Sequence, residues 1–425
     1  MVRLILYQLS DVHFPEHHDK KHALDFKDPG FPAGILPALG PSPLEGAVRE
    51  LVRRTNEDHG CGLAICGDLT SVGSLEGYGR CVEYLISSLG LASGRWPLSS
   101  VQAVPGNHDV DRVAIPPGDH DPAEKFEPLA QVWRDRGVPV LAARLRPTNL
   151  SMGDSRLALY GLNSCLGCGE LRQLPDDLRG ELEATFRADA LAAQLDGDAP
   201  RWERLDTPAF FEEDVDNLVA SIRDTARTKV PVVIAHHNLL PQALPRISPY
   251  AELLNGGMLR ERLGGLDQPV LYLHGHIHSS PVEVVLTPSA PRARLIIVAA
   301  PLFVEGFNRL AFEFTADGVP LGVEVTPSRV QRSGGFQPRA VIRVPLVAPY
   351  DSAHSESVDS VVAVVKGASA HMRYREVKRT VRVNGRHLSD SHLQDALREA
   401  EWLGWVNLIN REYEPASWQI EGAGR

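Results

Sequence analysis

The sequence predicts a layered α/β protein with a cap insertion and a small α+β unit at its C-terminal end. Over roughly the first three hundred residues, short β-branched runs alternate with longer amphipathic or polar stretches, the pattern of strands and helices sharing one fold. Five of the seven predicted strands run directly into small clusters of Asp, Asn, His or Gly. After Pro327 the composition turns to Pro, Gly and Ser and then to a Trp-containing tail, as at a linker followed by a further unit.

The predicted strands span 4–9, 63–66, 101–104, 157–162, 230–235, 270–274 and 295–299. Helices are expected over 43–56 and 75–89, with several more in the acidic stretch from about 176 to 228. The segment 14–41 carries Pro15, Pro29, Pro32, Pro37 and Pro41 and is too rich in breakers for regular structure. A cap over the active centre is expected within about 163–228. These elements give a catalytic domain over 1–327, a linker over 328–359 and an accessory unit over 360–425. In that unit 361–366 and 377–383 read as strands, with Asn384-Gly385 as a tight turn. A helix follows over 391–402, with Ser389 or Asp390 as its N-cap. Trp402, Trp405 and Trp418 are expected to form the unit's own core, with a partner-binding surface as the alternative.

Composition narrows the classes. The 425 residues are 43% hydrophobic and 23% charged, enough for a full core. A formal net charge of −10 weighs weakly against nucleic acid as a partner. Five cysteines, Cys61, Cys66, Cys81, Cys165 and Cys168, form no disulfide framework and point to a reducing compartment, so the cytoplasm is expected. The longest apolar stretch, 295–304, is half of the ~20 residues a spanning helix needs.

The clusters after the strands carry the chemistry. They read Ser10-Asp-Val-His13, Gly67-Asp68, Gly106-Asn-His-Asp109, His236-His237 and Gly275-His-Ile-His278. Ligands of open α/β sheets bind beyond the carboxyl ends of strands, so the clusters should converge. Asp11, His13, Asp68, Asn107, His236, His276 and His278 offer the mixed oxygen and imidazole donors accepted by Zn, Mn and Fe. Seven donors are too many for one tetrahedral ion and suit two divalent ions close together. In the Asp-x-His and His-x-His pairs, alternate residues of an extended chain point to one side.

These five motifs, in this order, resemble the calcineurin-like metallophosphoesterases over 1–327. The resemblance implies a four-layer β-sandwich flanked by helices. It implies a first metal held by Asp11, His13, Asp68 and His278, and a second held by Asp68, Asn107, His236 and His276, with Asp68 bridging. His108 would be the substrate-side catalytic histidine and Asp109 its orienting partner. A hydroxide bridging the two ions would attack phosphorus. Gly67-Asp-Leu-Thr70 departs from the protein phosphatase pattern and is similar to the cyclic-nucleotide phosphodiesterase branch. The expected activity is hydrolysis of a nucleotide-type phosphodiester. The alternatives are a DNA or RNA nuclease that uses a basic C-terminal unit, and an effector regulated by a protein partner or a second copy bound through that unit.

Arg112 is placed to clamp a phosphate or to pair with Asp111. His237 and His274 read as packing residues, and His17, His18 and His22 as a solvated loop. Cys165-Leu-Gly-Cys168 has zinc-like spacing without a second pair. Between 366 and 387 seven Lys or Arg face one acid, Glu376, which reads as a solvated face or a guide for nucleic acid.

Overall fold

The computed structural model describes residues 2–14, 42–58, 60–71, 73–111, 121–143, 150–152, 156–169, 180–181, 184–185, 207–225, 228–241, 252–279, 281–287, 290–331, 335–347 and 355–423. Arg112, the histidines of the Pro-rich loop and most of the expected cap lie outside them.

Two sheets face each other. The first joins β1 (Val2–Leu9), β2 (Gly62–Ile65) and β3 (Val101–Ala103) in parallel, and β1 also pairs antiparallel with β10 (Gly306–Phe314). Beyond β10 lie β11 (Pro320–Val330), then β12 (Phe336–Pro338) and β13 (Ile342–Pro345), both paired with β11. The second sheet has the order β4 (Leu150–Met152), β5 (Leu157–Gly161), β6 (Val230–Ile234), β7 (Val270–His274), β9 (Ala290–Ala299), β8 (Val282–Thr287). The pairs from β5 through β9 are parallel and both edge strands are antiparallel.

Strand alternation builds the layers. Leu6 of β1, Val232 and Ile234 of β6, Leu271 and Leu273 of β7, and Ile296 and Val298 of β9 fill one core between the sheets. Their sequence neighbours Ile5, Tyr7, Val233, Tyr272 and Ile297 point outward into the core shared with the helices. The outcome is the helix–sheet–sheet–helix sandwich expected above.

The helices begin where local chemistry says they should. In α1 (Pro43–Glu57), Ser42 and Glu45 form a reciprocal capping box with Pro43 in the first turn. In α2 (Leu75–Leu89), Ser74 accepts from Gly77 N, and Gly90 closes the helix at φ 70°. On the first sheet's side, α3 (Glu127–Asp135) also buries its apolar face. Two further helices, α4 (Glu212–Arg223) and α5 (Gly256–Gly264), bury apolar residues in the same helix-facing core. Within 163–228, α4 buries Val215, Leu218, Val219 and Ile222 in that core, because its apolar stripe has helical spacing.

The C-terminal expectations need correction. Residues 361–366 and 377–383 are helical, within α6 (Ser355–Lys366) and α7 (Tyr374–Val383). Val358, Val361 and Val365, and likewise Tyr374, Val377 and Val381, recur at helical spacing and are buried in one core. Burial of those stripes outweighs the β preference of valine. Asn384-Gly385 ends α7 instead of turning a hairpin, with Gly385 at φ 86°. The predicted helix is present as α8 (Asp390–Trp402), capped by Ser389. A three-stranded sheet completes the unit, in the order β14 (Met372–Arg373), β16 (Gln419–Gly422), β15 (Val406–Ile409). Of the expected linker, 336–338 and 342–345 extend the first sheet and 355 onward begins α6.

Trp418 lies in the unit's core, but Trp402 packs with Leu321 and Val347 of the main body. Its Nε1–H donates to Glu313 at 2.8 Å, and Gly322 leaves room for its ring, which a Cβ there would meet at 2.3 Å. Arg411 adds contacts of 2.8 Å to Glu313, 2.8 Å to Glu324 and 3.0 Å to Glu401. Glu313 pairs with Arg3 at the start of β1. The unit is therefore anchored at the end of β1 opposite Asp11, roughly 25 Å away at about 3.3 Å per residue.

Candidate metal centre

The strand-end clusters converge. Asp11 N–H donates to Gly67 O (3.0 Å), His276 N–H to Asp11 Oδ2 (3.1 Å), and His108 N–H to Asp68 Oδ1 (2.8 Å). The backbone is bent to achieve this. Among described non-glycine residues with positive φ are Asp11 (55°), His13 (49°), Asp68 (52°), His276 (66°) and His278 (51°). Left-handed conformations of this kind are costly and cluster where a site demands them. The motif glycines answer a different need, close approach. A Cβ on Gly106 would lie 2.1 Å from Asp68 Oδ1, and one on Gly275 would lie 1.7 Å from Ser10 Oγ.

Two adjoining donor groups result. In one, His278 Nε2 is 3.2 Å from Asp11 Oδ1 and 3.4 Å from His13 Nε2. In the other, His236 Nε2 is 3.2 Å from Asp68 Oδ2 and 2.9 Å from Asn107 Oδ1. His236 Nδ1 lies 2.7 Å from Cys66 O, so Nδ1–H donates there and Nε2 faces the carboxylate and the amide. Asp11, Asp68 and His236 themselves fall within 4.8 Å of one another, which joins the groups. The His276 ring stands 5.2 Å from that of His236.

Charge and burial agree with a cation site. Asp11 Oδ1 is buried and makes no hydrogen bond. Burial alone would raise Asp68, but the charges of His236 and His108 outweigh it and hold Asp68 well below the usual carboxylate range. Burial works against charge on His236, yet Asp68 and Asp11 push it up to about 10. Burial depresses His13. Two acids with concentrated imidazole lone pairs form a hard and borderline donor set that fits divalent cations.

His108 stands at the rim with its ring exposed. Its Nδ1–H reaches Ser71 O at 3.2 Å and its ring meets that of His13 edge-on at 5.2 Å. Asp109 does not orient it, which corrects that expectation. Asp109 Oδ2 accepts from Gly106 N at 2.8 Å, and Oδ1 accepts from Thr70 N at 2.9 Å and Thr70 Oγ1 at 3.1 Å. The carboxylate ties the two ligand loops together because its own loop turns it inward, away from the rim. Burial, then the charge of Asp68, raises Asp109 to about 7 against those donated hydrogen bonds.

His274 is a packing residue, as expected. It is buried, its Nδ1–H meets Gly275 O at 2.9 Å, and burial lowers it to about 4. His237 is less bland. Its Nε2 is buried without a hydrogen-bond partner, and it groups with His236 and His276. The sequence reading missed Ser164, whose Oγ accepts from His236 N (3.3 Å) and His237 N (3.1 Å). A signal existed, since Asn163-Ser164 also directly follows a predicted strand.

Neither protein-family profiles nor curated proteins give a match to the chain. Among solved structures, it is similar to a dimetal phosphatase from Danio rerio, at 12% identity and a TM-score of 0.45, over 81% of this chain and 99% of that one. It is also similar to a 5'-nucleotidase precursor from Thermus thermophilus, at 15% identity and a TM-score of 0.41, over 77% of this chain and 54% of that one. A purple acid phosphatase from yellow lupin (Lupinus luteus) seeds shares 10% identity at a TM-score of 0.42, over 81% of this chain and 54% of that one.

Proposed function

We propose that the chain is a calcineurin-like metallophosphoesterase that hydrolyses a nucleotide-type phosphodiester with two divalent metal ions. One observation carries this reading: donors predicted from separate motifs lie in two adjoining groups, Asp11 with His13 and His278, and Asp11 with Asp68 and His236. Asp11, His13, Asp68 and His278 are assigned to one cation, and Asp68, Asn107, His236 and His276 to the other. Such a pair supplies Lewis acidity, acidifying water and neutralising phosphoryl charge. The chain's own residues do the rest. The Cys66 carbonyl fixes the His236 tautomer, Asp109 holds the Gly106 and Thr70 loops in register, and the exposed His108 delivers a proton to the departing oxygen.

Gly67-Asp-Leu-Thr70, in place of the protein phosphatase pattern, supports a diester substrate. The test is a Mn-supplemented hydrolysis panel of an aryl phosphodiester, an aryl phosphomonoester, cyclic nucleotides, DNA and RNA. Diester turnover that Asp68→Asn abolishes is expected. Monoester-only turnover would remove the diester reading, and full activity in Asp68→Asn would remove the two-metal reading.

Between the two alternative roles for the C-terminal unit, its position favours partner binding. The unit is anchored through Glu313, Gly322 and Glu324 at the far end of β1, roughly 25 Å from Asp11, and two of its basic residues, Lys378 and Arg386, pair with its own acids. Among the described residues, no helix is long and apolar enough to cross a membrane.

A further inference from the structure

The cysteine pair that has no second pair in the sequence gains a third donor in the fold. Cys165 and Cys168 close a turn in which Cys168 N–H donates to Cys165 O at 2.9 Å, and both are buried, reduced thiols. The residue after the end of β6 and His236 is His237, and its Nδ1 lies 3.8 Å from Cys165 Sγ. One donor atom from each of Cys165, Cys168 and His237 falls within 4.8 Å of the others.

We propose that Cys165, Cys168 and His237 bind a further divalent cation of the zinc type, distinct from the carboxylate and imidazole pair. Donor softness separates the sites. Thiolate sulfur selects zinc, whereas Asp and Asn oxygens with imidazole also accept manganese and iron. In a tetrahedral zinc site, with Zn–S near 2.3 Å and Zn–N near 2.0 Å, neighbouring donor atoms lie roughly 3.5–3.8 Å apart. The Cys165–His237 separation of 3.8 Å already fits, and the 4.8 Å limit on the set leaves a contraction of at most about an ångström. Ser164 Oγ, 2.9 Å from His237 Nδ1, and Pro105 O, 3.4 Å from Cys165 Sγ, are within reach of the fourth position.

Lys125 Nζ donates to Leu166 O and Cys168 O at 2.7 Å each, fixing the turn that carries both cysteines. Binding releases two thiol protons, and the two thiolates neutralise the metal's charge in a buried place. This cation would clamp the chain after β5 to the chain after β6, next to His236. Its role is then to hold the ligand-bearing end of β6 in place.

The experiment uses the full chain. Zinc-loaded wild type should hold one equivalent more by elemental analysis than Cys165→Ser/Cys168→Ser. After cobalt substitution, wild type and Asp68→Asn should both show a near-ultraviolet thiolate-to-cobalt charge-transfer band, and the cysteine double variant should lack it. Equal metal content, or no such band in wild type, overturns the proposal. Should the double variant fail to fold, thiol labelling of the unmutated chain decides. All five cysteines are buried, so chelation should make two more thiols reactive than zinc-loaded protein shows, and the same number of reactive thiols with and without zinc would overturn it. Because Asp68→Asn is scored separately, loss of the two-metal reading would not mimic loss of this one.

Discussion

His13 Nε2 and His278 Nε2 face each other at 3.4 Å although 265 residues separate them. Two imidazole lone pairs do not approach so closely without a proton or a cation between them, and Asp11 Oδ1, 3.2 Å from His278 and without a hydrogen bond, completes a charge-seeking triangle. Both histidines and the aspartate hold left-handed backbone conformations. The fold thus spends conformational free energy to bring three donors to one point, which is informative about what the point is for.

His108 gives the first prediction. Its ring is exposed and reaches only the rim, so His108→Ala should keep its metal content and thermal stability while turnover falls about 10²- to 10⁴-fold. Elemental analysis beside steady-state kinetics checks this, and unchanged turnover takes His108 out of the reaction.

Gly106 gives the second. An added methyl would lie 2.1 Å from Asp68 Oδ1 and 2.2 Å from Asp68 N, so Gly106→Ala must displace the Asp68 carboxylate. A loss of about 1–3 kcal/mol of stability is expected, with weakened metal binding. Thermal unfolding with and without added Mn should show a smaller metal-induced rise in the variant than in wild type.

Asp109 separates two roles. Because its two oxygens bridge Gly106 and Thr70, Asp109→Asn leaves a donated hydrogen bond without an acceptor and should cost about 1–3 kcal/mol. Metal affinity should fall with it. A variant with wild-type stability and metal content but slowed turnover would instead restore Asp109 as a partner of His108.

Arg411 predicts a pH effect. It pairs with the buried Glu313 and shares Glu324 with Arg3 and Arg343 and Glu401 with Arg343, so Arg411→Met, which leaves Glu313 without a cation, should destabilise the chain by about 3–5 kcal/mol at neutral pH. Burial already raises Glu401. A carboxyl raised in the fold takes up its proton there before the unfolded chain does, so stability is gained as pH falls through the folded value. Loss of Arg411 raises it further, and denaturant titrations should therefore show a smaller deficit near pH 5 than at pH 7. Hydrolysis of a small diester should be retained, since the anchor lies at the far end of β1.

Much of this protein was legible in the chain itself. Short β-branched runs marked β1, β2, β3, β5, β6, β7 and β9, five of them ending in polar clusters, whereas the edge strands β4 and β8 were not expected. The candidate donors Asp11, His13, Asp68, Asn107, His236, His276 and His278 stood out as chemistry just past strand ends, but the left-handed turns that aim five of them did not. Tertiary structure decided what depends on distant partners. The valines of α6 and α7 satisfy both strand and helix preferences locally, and only a common core with Trp418 selected the helix. Asp109 follows His108 in sequence, yet packing turned its carboxylate to Gly106 and Thr70. His237 and the Cys165–Cys168 turn are 69 or more residues apart and meet only because β5 and β6 are adjacent parallel strands. Local sequence specifies the chemistry of each side chain and its direction within a strand, while loop side-chain direction and proximity between remote segments come from sheet order and packing.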